Sequence, residues 1–226
     1  MEFFEKILPN QKDNFKLLKS KALMEKSIYD LVLKLSNHKE NFIEHKKVSH
    51  AEMGSSLISQ LFLSFIIKTH KVKKILEIGT FTGKTTTFFA KVSPNITIDT
   101  IEFYDSFANI AKKNFKSNKV ADQINVMVGD AKFLIPKIKM KYDFIFIDGD
   151  KDNYLYYFQH AEKILSKNGI IIIDDIFFHG DVFNPIPKTS KGLGVKKILN
   201  YLVKNNKKYE TTIIPISNGI AAVKIM

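Results

Sequence analysis

Short apolar runs alternate with helical segments after Lys71, and this alternation constrains the fold more than any other feature of the sequence. Each run ends in a glycine or an acidic residue. The runs cover residues 73–79, 96–102, 124–130, 142–148 and 169–175. Nearly continuous apolar strands that alternate with helices are typical of a parallel sheet covered on both faces.

Two further strand-like runs, residues 209–217 and 219–226, end the sequence and are joined by Asn218-Gly219. Asn-Gly between two such runs is the strongest short signal for a hairpin. We therefore predict an α/β fold, namely a Rossmann-like, doubly wound, mostly parallel sheet with a C-terminal antiparallel hairpin and extra N-terminal helices.

The first 70 residues show helical periodicity and no strand pattern. We expect a helix from about Ala51 to Thr69 with Ser49 as its N-cap, preceded by one or two amphipathic helices. A chain of 226 residues suits one α/β domain. The prediction is a single domain over residues 1–226, with a helical extension (1–70) and a Rossmann-like core (71–226).

A Pro-, Gly- and Lys-rich segment, residues 177–194, predicts a loop, and residues 195–205 predict a helix after it. The N-terminus lacks the basic flank and apolar region of a signal peptide. The most apolar long stretch, residues 57–67, is about half as long as a membrane span requires. We expect a soluble cytoplasmic protein that does not contact membranes.

The composition excludes cysteine chemistry and gives a strongly basic chain. Cysteine is absent, which removes disulfide scaffolds, thiolate zinc sites and cysteine nucleophiles. The formal net charge is +12, and every basic residue is lysine rather than arginine. Arginine supplies the bidentate contacts to guanine and phosphate. A/T-biased codon usage therefore explains the lysine excess, with a surface for anionic partners as the alternative.

The turn after the first strand has the pattern of a cofactor-binding loop. Gly79 allows a tight turn, and Gly83 allows the next helix to begin close to the strand. Dinucleotide sites need a further glycine at the position that Phe81 occupies. A bulky residue there argues against NAD or FAD and favours a ligand without phosphates, for which S-adenosylmethionine is the common choice.

Acidic residues follow the second and third strands. Glu102 lies 23 residues after Gly79, where a carboxylate can accept hydrogen bonds from ribose hydroxyls. A solvated acid at a strand end is the alternative interpretation. Asp130-Ala131 would border the adenine.

Three aspartates follow strands four and five, which are neighbours in a doubly wound sheet. Carboxylates from Asp148, Asp174 and Asp175 within about 5 Å would repel by roughly 3 kcal/mol per pair, so they favour a bound cation. Oxygen ligands favour Mg²⁺, Mn²⁺ or Ca²⁺ over zinc. Lys151 lies three residues after Asp148, and a nearby dication could lower its pKa toward that of a general base. Ordinary loop acids and a solvated lysine are the alternatives.

Three motifs carry a family resemblance: LEIGTFTGKTT, FIFIDGDKDNYLYYF and IIIIDDIFFHGDV. In this order and spacing they resemble the cation-dependent class I S-adenosylmethionine O-methyltransferases of the catechol and caffeoyl-CoA type. The similarity covers about residues 48–226. Two departures stand out: Asp175 replaces the usual Asn, and the segment VSHAEMGSSL lacks the usual proline.

The resemblance implies a role for each matching residue. S-adenosylmethionine would be lined by Glu77, Gly79, Thr80, Thr85, Glu102, Ala131 and Asp150. The cation would be held by Asp148, Asp174 and Asp175, and Lys151 would take the proton of the acceptor. Asp148 and His179 would contact the acceptor.

The expected activity is the cation-dependent O-methylation of a small catechol-like hydroxylated acceptor, with Mg²⁺ as the first choice of cation. Family members are commonly homodimers, so we expect a homodimer. Two alternatives stay open. One is a hydroxylated uridine in tRNA as acceptor, which the net charge of +12 makes worth keeping. The other is a non-catalytic cofactor-binding protein on the same fold.

Overall fold

The computed structural model of the chain describes residues 56–226, within which seven strands form one sheet. The strands are β1 (Lys74–Ile78), β2 (Thr97–Glu102), β3 (Ile124–Val128), β4 (Tyr142–Ile147), β5 (Leu165–Ile173), β6 (Tyr209–Ile214) and β7 (Ile220–Ile225). Their order is β3-β2-β1-β4-β5-β7-β6. The first five pair in parallel, and β7 pairs antiparallel with both β5 and β6. The predicted fold class is confirmed.

Helices connect the parallel strands. They are α1 (Leu57–Thr69), α2 (Lys84–Val92), α3 (Asp105–Ser117), α4 (Ala131–Leu134), α5 (Tyr154–Ala161) and α6 (Ser190–Lys204). Short 3₁₀ turns lie at Ala121–Gln123, Ile135–Lys137, Lys151–Asn153, Glu162–Ile164 and Phe178–Phe183. None of the helices among residues 56–226 is both long and apolar enough to cross a membrane.

The central strands are buried on both faces, as their continuous apolar sequences predict. Ile75 and Leu76 of β1, Ile145 of β4 and Ile172 of β5 are fully buried, although neighbouring residues of a strand point to opposite faces. The edge strand β3 is only partly covered. The best-packed strands are therefore those whose carboxyl ends carry the predicted site.

Helix α6 begins at Ser190, five residues before the predicted start. Thr189 caps it by accepting a hydrogen bond from the backbone N–H of Gly192. Gly192 and Gly194, which the sequence pattern assigns to a loop, lie inside the helix and allow close packing. A Cβ on Gly194 would overlap the carbonyl oxygen of Lys151 and lie 2.7 Å from Cα of Asp152.

Helix α1 begins at Leu57, later than predicted, because Ser56 is its N-cap and accepts from the backbone N–H of Ser59. The predicted cap Ser49 and the earlier helices lie outside the described residues. The division into an extension and a core stays a prediction. The terminal hairpin is confirmed, but its connection spans residues 215–219 rather than Asn218-Gly219 alone.

We predict that Gly194→Ala destabilises the protein by about 1–3 kcal/mol, because the added methyl group overlaps the segment of Lys151. Helix propensity alone predicts the opposite effect, namely that alanine stabilises the protein by up to about 1 kcal/mol. Urea unfolding measures the change. Asn200→Ala, at an exposed position of α6, is the control and should follow propensity. A more stable Gly194→Ala protein would contradict the close packing.

Candidate active site

The carboxyl ends of β1, β4 and β5 are joined by backbone hydrogen bonds just beyond the strands. The N–H of Asp148 donates to the carbonyl of Ile78, and the N–H of Asp174 donates to the carbonyl of Ile147. The chain connections reverse direction between β1 and β4. In open α/β sheets, ligands bind in the crevice at this switch point.

The turn after β1 needs both of its glycines. Gly79 has φ +103°, and a Cβ there would overlap the carbonyl oxygen of Asp148. Gly83 has φ +78° and packs directly against the ring of Phe115. Phe81 also has a positive φ, +50°, and its ring lies 4.5 Å from that of Phe107. The turn therefore brings backbone close to β4 and places an aromatic residue where a dinucleotide site needs glycine.

Glu102 lies at the end of β2, next to this turn. Its carboxylate accepts hydrogen bonds from the backbone N–H of Phe81 at 2.7 Å and of Tyr104 at 3.0 Å. The residue is buried, and a carboxylate has about four acceptor positions. Residues 56–226 fill two of these positions and leave two for ligand hydroxyls, which fits the predicted ribose role.

Glu77 is a fully buried carboxyl group in β1. Its Oε2 accepts hydrogen bonds from the hydroxyls of Thr86 and, at 2.6 Å, Thr100. Its Oε1 has no hydrogen-bond partner within residues 56–226. Burial raises the pKa of Glu77 to about 7, although the two threonine hydrogen bonds act in the other direction. A buried acceptor without a partner suits a ligand that brings a donor.

The other predicted cofactor residues also lie near this edge. Thr80 is buried and its hydroxyl is 2.5 Å from that of Thr100, and Thr85 is buried in the first turn of α2. Ala131 begins α4, which Asp130 caps through the backbone N–H of Lys132. Asp150 caps the 3₁₀ turn Lys151–Asn153.

The carboxylates after β4 and β5 surround the ammonium group of Lys151. Lys151 Nζ lies 2.9 Å from Oδ2 of Asp175 and 3.5 Å from Oδ1 of Asp148. Asp174 is buried, and its Oδ1 accepts the backbone N–H of Asp175. Asp175 has φ +56°, a conformation that Asp and Asn tolerate better than most residues. Asp therefore fits this backbone as well as the usual Asn does.

The charges in this group perturb one another. Burial and then the charge of Asp174 hold the pKa of Asp148 well above its usual range. Burial alone would lower the pKa of Lys151, but Asp148 and Asp175 more than offset it, so the pKa is raised. The predicted lowering assumed a neighbouring dication. The carboxylates by themselves act in the opposite direction.

The side chains fit a hard cation in chemistry but are not assembled as a metal centre. Among residues 56–226, no group of three or more His, Asp or Glu side chains is arranged to hold a metal ion. The donors at Asp148, Asp174 and Asp175 are all carboxylate oxygens, the type that Mg²⁺ and Ca²⁺ prefer. Burial and then the charge of Asp174 raise the pKa of Asp148, so the site favours added positive charge, which either a proton or a cation would supply. The cation site thus stays a prediction.

His179 lies in the 3₁₀ turn Phe178–Phe183, which follows β5. It is exposed, has φ +53°, and its Nδ1 is 3.4 Å from Nδ2 of Asn218. It therefore lies on the segment that follows the predicted cation ligands, and its predicted contact with the acceptor stays untested.

Asp181, which the sequence does not single out, organises the rest of this segment. Its carboxylate accepts hydrogen bonds from the backbone N–H groups of Lys188 and Thr189, the hydroxyl of Thr189 and the amide of Asn184. The hydrogen bonds, led by that of Lys188, lower the pKa of Asp181 to about 2. The segment that would border the acceptor is thereby tied to the start of α6.

Tyr154 is a second residue that the sequence does not single out. It is fully buried at the start of α5, and its ring centroid is 5.5 Å from Lys151 Nζ. The sequence offers a weak signal, since Tyr154 lies three residues after Lys151. An aromatic residue on a helix is normally interpreted as core.

The sheet order, the glycine turn after β1 and the acid after β2 together define a class I methyltransferase fold. The chain belongs to the O-methyltransferase family, whose model matches residues 24–226. The predicted family resemblance is confirmed. Membership makes the chain an enzyme, which argues against the non-catalytic alternative.

Individual relatives agree with this assignment. A probable caffeoyl-CoA O-methyltransferase 3 of Dictyostelium discoideum is 28% identical over 184 residues, covering 72% of each chain. The crystal structure of a putative caffeoyl-CoA O-methyltransferase from Staphylococcus aureus has a TM-score of 0.77 and 26% identity, covering 90% of this chain and 100% of that one. The O-methyltransferase TomG from Streptomyces achromogenes, solved with SAM, has a TM-score of 0.72 and 23% identity, covering 78% and 83%.

We predict that Glu77→Gln becomes more stable relative to the wild type as pH rises. The pKa of Glu77 is about 7 in the folded protein and 4.5 in the unfolded chain, so the folded state holds this proton more tightly. The resulting stabilisation is complete below pH 4.5 and is lost as pH rises through 7. It amounts to about 3 kcal/mol.

Urea unfolding of both proteins at pH 5 and pH 8, without cofactor, measures this difference. Contributions of other carboxyl groups cancel because both proteins contain them. Glu210→Gln, which removes an exposed carboxylate from β6, controls for the change in net charge. Parallel pH profiles for Glu77→Gln and the wild type would contradict the prediction.

Proposed function

We propose that this O-methyltransferase transfers the methyl group of S-adenosylmethionine to a hydroxyl of a small catechol-like acceptor, with the help of a divalent cation. The observation that carries the proposal is the group of Asp148, Lys151 and Asp175 at the ends of β4 and β5. It lies beside the β1 turn, because Gly79 packs against the carbonyl of Asp148. A proton acceptor and a charged oxygen site would thus adjoin the methyl donor.

S-adenosylmethionine fits the residues around β1 and β2. Within residues 56–226, Oε1 of Glu77 has no partner and suits a ligand donor such as an ammonium group. The acceptor positions of Glu102 that these residues leave open suit ribose hydroxyls. The Streptomyces achromogenes relative binds SAM on the same fold. Phe81 occupies the position of the second glycine in the dinucleotide fingerprint, which disfavours a pyrophosphate.

The carboxylates of Asp148, Asp174 and Asp175 would hold the cation, with Mg²⁺ as the first choice and Mn²⁺ or Ca²⁺ as alternatives. When bound, a cation would lower the pKa of a hydroxyl that coordinates it. The carboxylates that raise the pKa of Lys151 would be offset by a bound dication, and neutral Lys151 would then take the acceptor's proton at Nζ. The methyl group would then pass from sulfur to oxygen, leaving S-adenosylhomocysteine and a methyl ether.

A cation held by these carboxylates would favour an acceptor with two neighbouring hydroxyl groups, as in a catechol. The caffeoyl group named for the Dictyostelium discoideum relative carries such a pair. His179, in the 3₁₀ turn that follows β5, would contact the acceptor.

We further propose that the protein is cytoplasmic and forms a homodimer. Light scattering during gel filtration tests the homodimer.

The second candidate acceptor is a hydroxylated uridine in tRNA. The net charge of +12 favours it, because excess lysine attracts polyanions. Binding to RNA would then weaken steeply with salt. A small-molecule enzyme needs no such dependence.

An acceptor screen decides between the two. Purified protein with radiolabelled S-adenosylmethionine would be offered catechol, caffeoyl-CoA and undermodified tRNA, each with EDTA and with added Mg²⁺ or Mn²⁺. We expect transfer to the catechol-type acceptors, its loss in EDTA, and its recovery when excess cation is restored. Transfer to tRNA alone would favour the second candidate, and transfer that EDTA leaves unchanged would refute the role of the cation.

We predict that Lys151→Ala lowers kcat by about 10²–10⁴-fold, the usual range for loss of a general base. Affinity for S-adenosylhomocysteine should stay within about threefold, because Lys151 contacts the carboxylates rather than the β1 turn. Calorimetric titration and steady-state kinetics measure the two quantities. Lys167→Ala, an exposed lysine of β5, is the matched control. Equal losses of cofactor affinity and kcat would indicate a structural role.

A further inference from the structure

Tyr154 forms one side of the Lys151 environment. It is the residue directly after the 3₁₀ turn that contains Lys151, and it begins α5. The whole residue is buried. Lys151 Nζ lies 5.5 Å from the centroid of its ring, within the distance at which a cation is attracted to an aromatic face.

The ammonium group therefore has contacts of two kinds. Asp148 and Asp175 attract it from the ends of neighbouring strands, at 3.5 Å and 2.9 Å. These carboxylates leave a long, flexible side chain several ways to satisfy its charge. The ring of Tyr154 restricts the positions open to the Lys151 side chain. Its face attracts the ammonium group, and its bulk fills the space beneath the ammonium group.

The hydroxyl of Tyr154 takes no part in this contact. It is buried and has no hydrogen-bond partner within residues 56–226. A buried hydroxyl without a partner is costly, and phenylalanine would fill the same volume without that cost. Burial and then the charges of Asp148 and Asp174 raise the pKa of Tyr154, so the phenol stays neutral beside the acidic group.

We propose that Tyr154 is a positioning residue that holds the Lys151 ammonium group between Asp148 and Asp175 by offering it the face of its ring. The proposal rests on the proposed function in so far as Lys151 takes the acceptor's proton. The aromatic ring of Tyr154, and not its hydroxyl, makes the contact with Lys151. Tyr154→Phe therefore keeps the contact, and it breaks no hydrogen bond of the described residues. Tyr154→Leu removes the contact.

Loss of core packing must be separated from loss of this contact. Phe158 provides the control because it lies one turn further along α5 and is also fully buried. Its ring packs against those of Tyr209 and Tyr201, at 5.3 Å and 6.2 Å. Phe158→Leu thus removes a buried aromatic ring from the same helix without touching the Lys151 contact.

The first readout is spectroscopic and needs neither cofactor nor acceptor. In protein labelled with ¹³C at the ε carbon of lysine, the Lys151 signal is the one that disappears in Lys151→Arg. An aromatic ring beneath the side chain should displace its ε-proton resonance upfield. We expect the displacement in the wild type, Tyr154→Phe and Phe158→Leu, and its loss in Tyr154→Leu. An unchanged resonance in Tyr154→Leu would overturn the proposal.

The second readout is kinetic and uses an acceptor identified by the screen. We expect Tyr154→Leu to lower kcat by about 10–100-fold, as for a misplaced catalytic group, with the affinity for S-adenosylhomocysteine within about threefold. Tyr154→Phe should restore kcat to within about threefold of the wild type. A loss in Tyr154→Phe equal to that in Tyr154→Leu, or a loss in Phe158→Leu as large, would overturn the ring's role. If the wild type methylates nothing, the proposed function fails, while the spectroscopic result still decides the ring contact.

Discussion

The carboxylates of Asp148 and Asp175 both contact the ammonium group of Lys151, and the rest of the site depends on this arrangement. With buried Asp174 beside them, these groups concentrate negative charge at the ends of two neighbouring strands. Such a concentration is tolerated when positive charge accompanies it or when a carboxyl group is protonated. Among the described residues Lys151 supplies positive charge, and a bound cation would supply more.

Close backbone contacts fix the positions of Asp148 and Lys151 relative to the turn after β1. Gly79 lets the β1 turn approach the carbonyl of Asp148, and Gly194 lets α6 approach the carbonyl of Lys151. Both contacts involve main chain on the two sides, so they leave little room for adjustment. Asp148 and Lys151 are thereby fixed by packing of the sheet and one helix, rather than by the side chains of a flexible loop.

The strands and the acids at their ends could be predicted because continuous apolar runs and terminal acids are local patterns. Most predicted strands agree with the structure to within two residues, but β5 begins at Leu165, four residues early, where its pairing with β4 shifts register. The start of α6 was missed, since Gly192 and Gly194 serve packing while local rules assign glycine to loops. The contact of Tyr154 with Lys151 is local, but an aromatic residue at the start of a helix is normally interpreted as core. The raised pKa of Lys151 depends in part on Asp175 from the neighbouring strand, which no local pattern contains.

Asp181 ties residues 184, 188 and 189 to one carboxylate, and this has a consequence for how such enzymes diversify. The intervening residues 185–187 include the very exposed Ile186 and are not bonded to Asp181 among the described residues, although the carbonyl of Pro185 accepts a hydrogen bond from Nζ of Lys196. Their sequence can therefore change, or lengthen, while both ends stay anchored. Under the proposed function, selection could exchange this short stretch and so alter which acceptors bind, without changing the residues at the ends of β4 and β5.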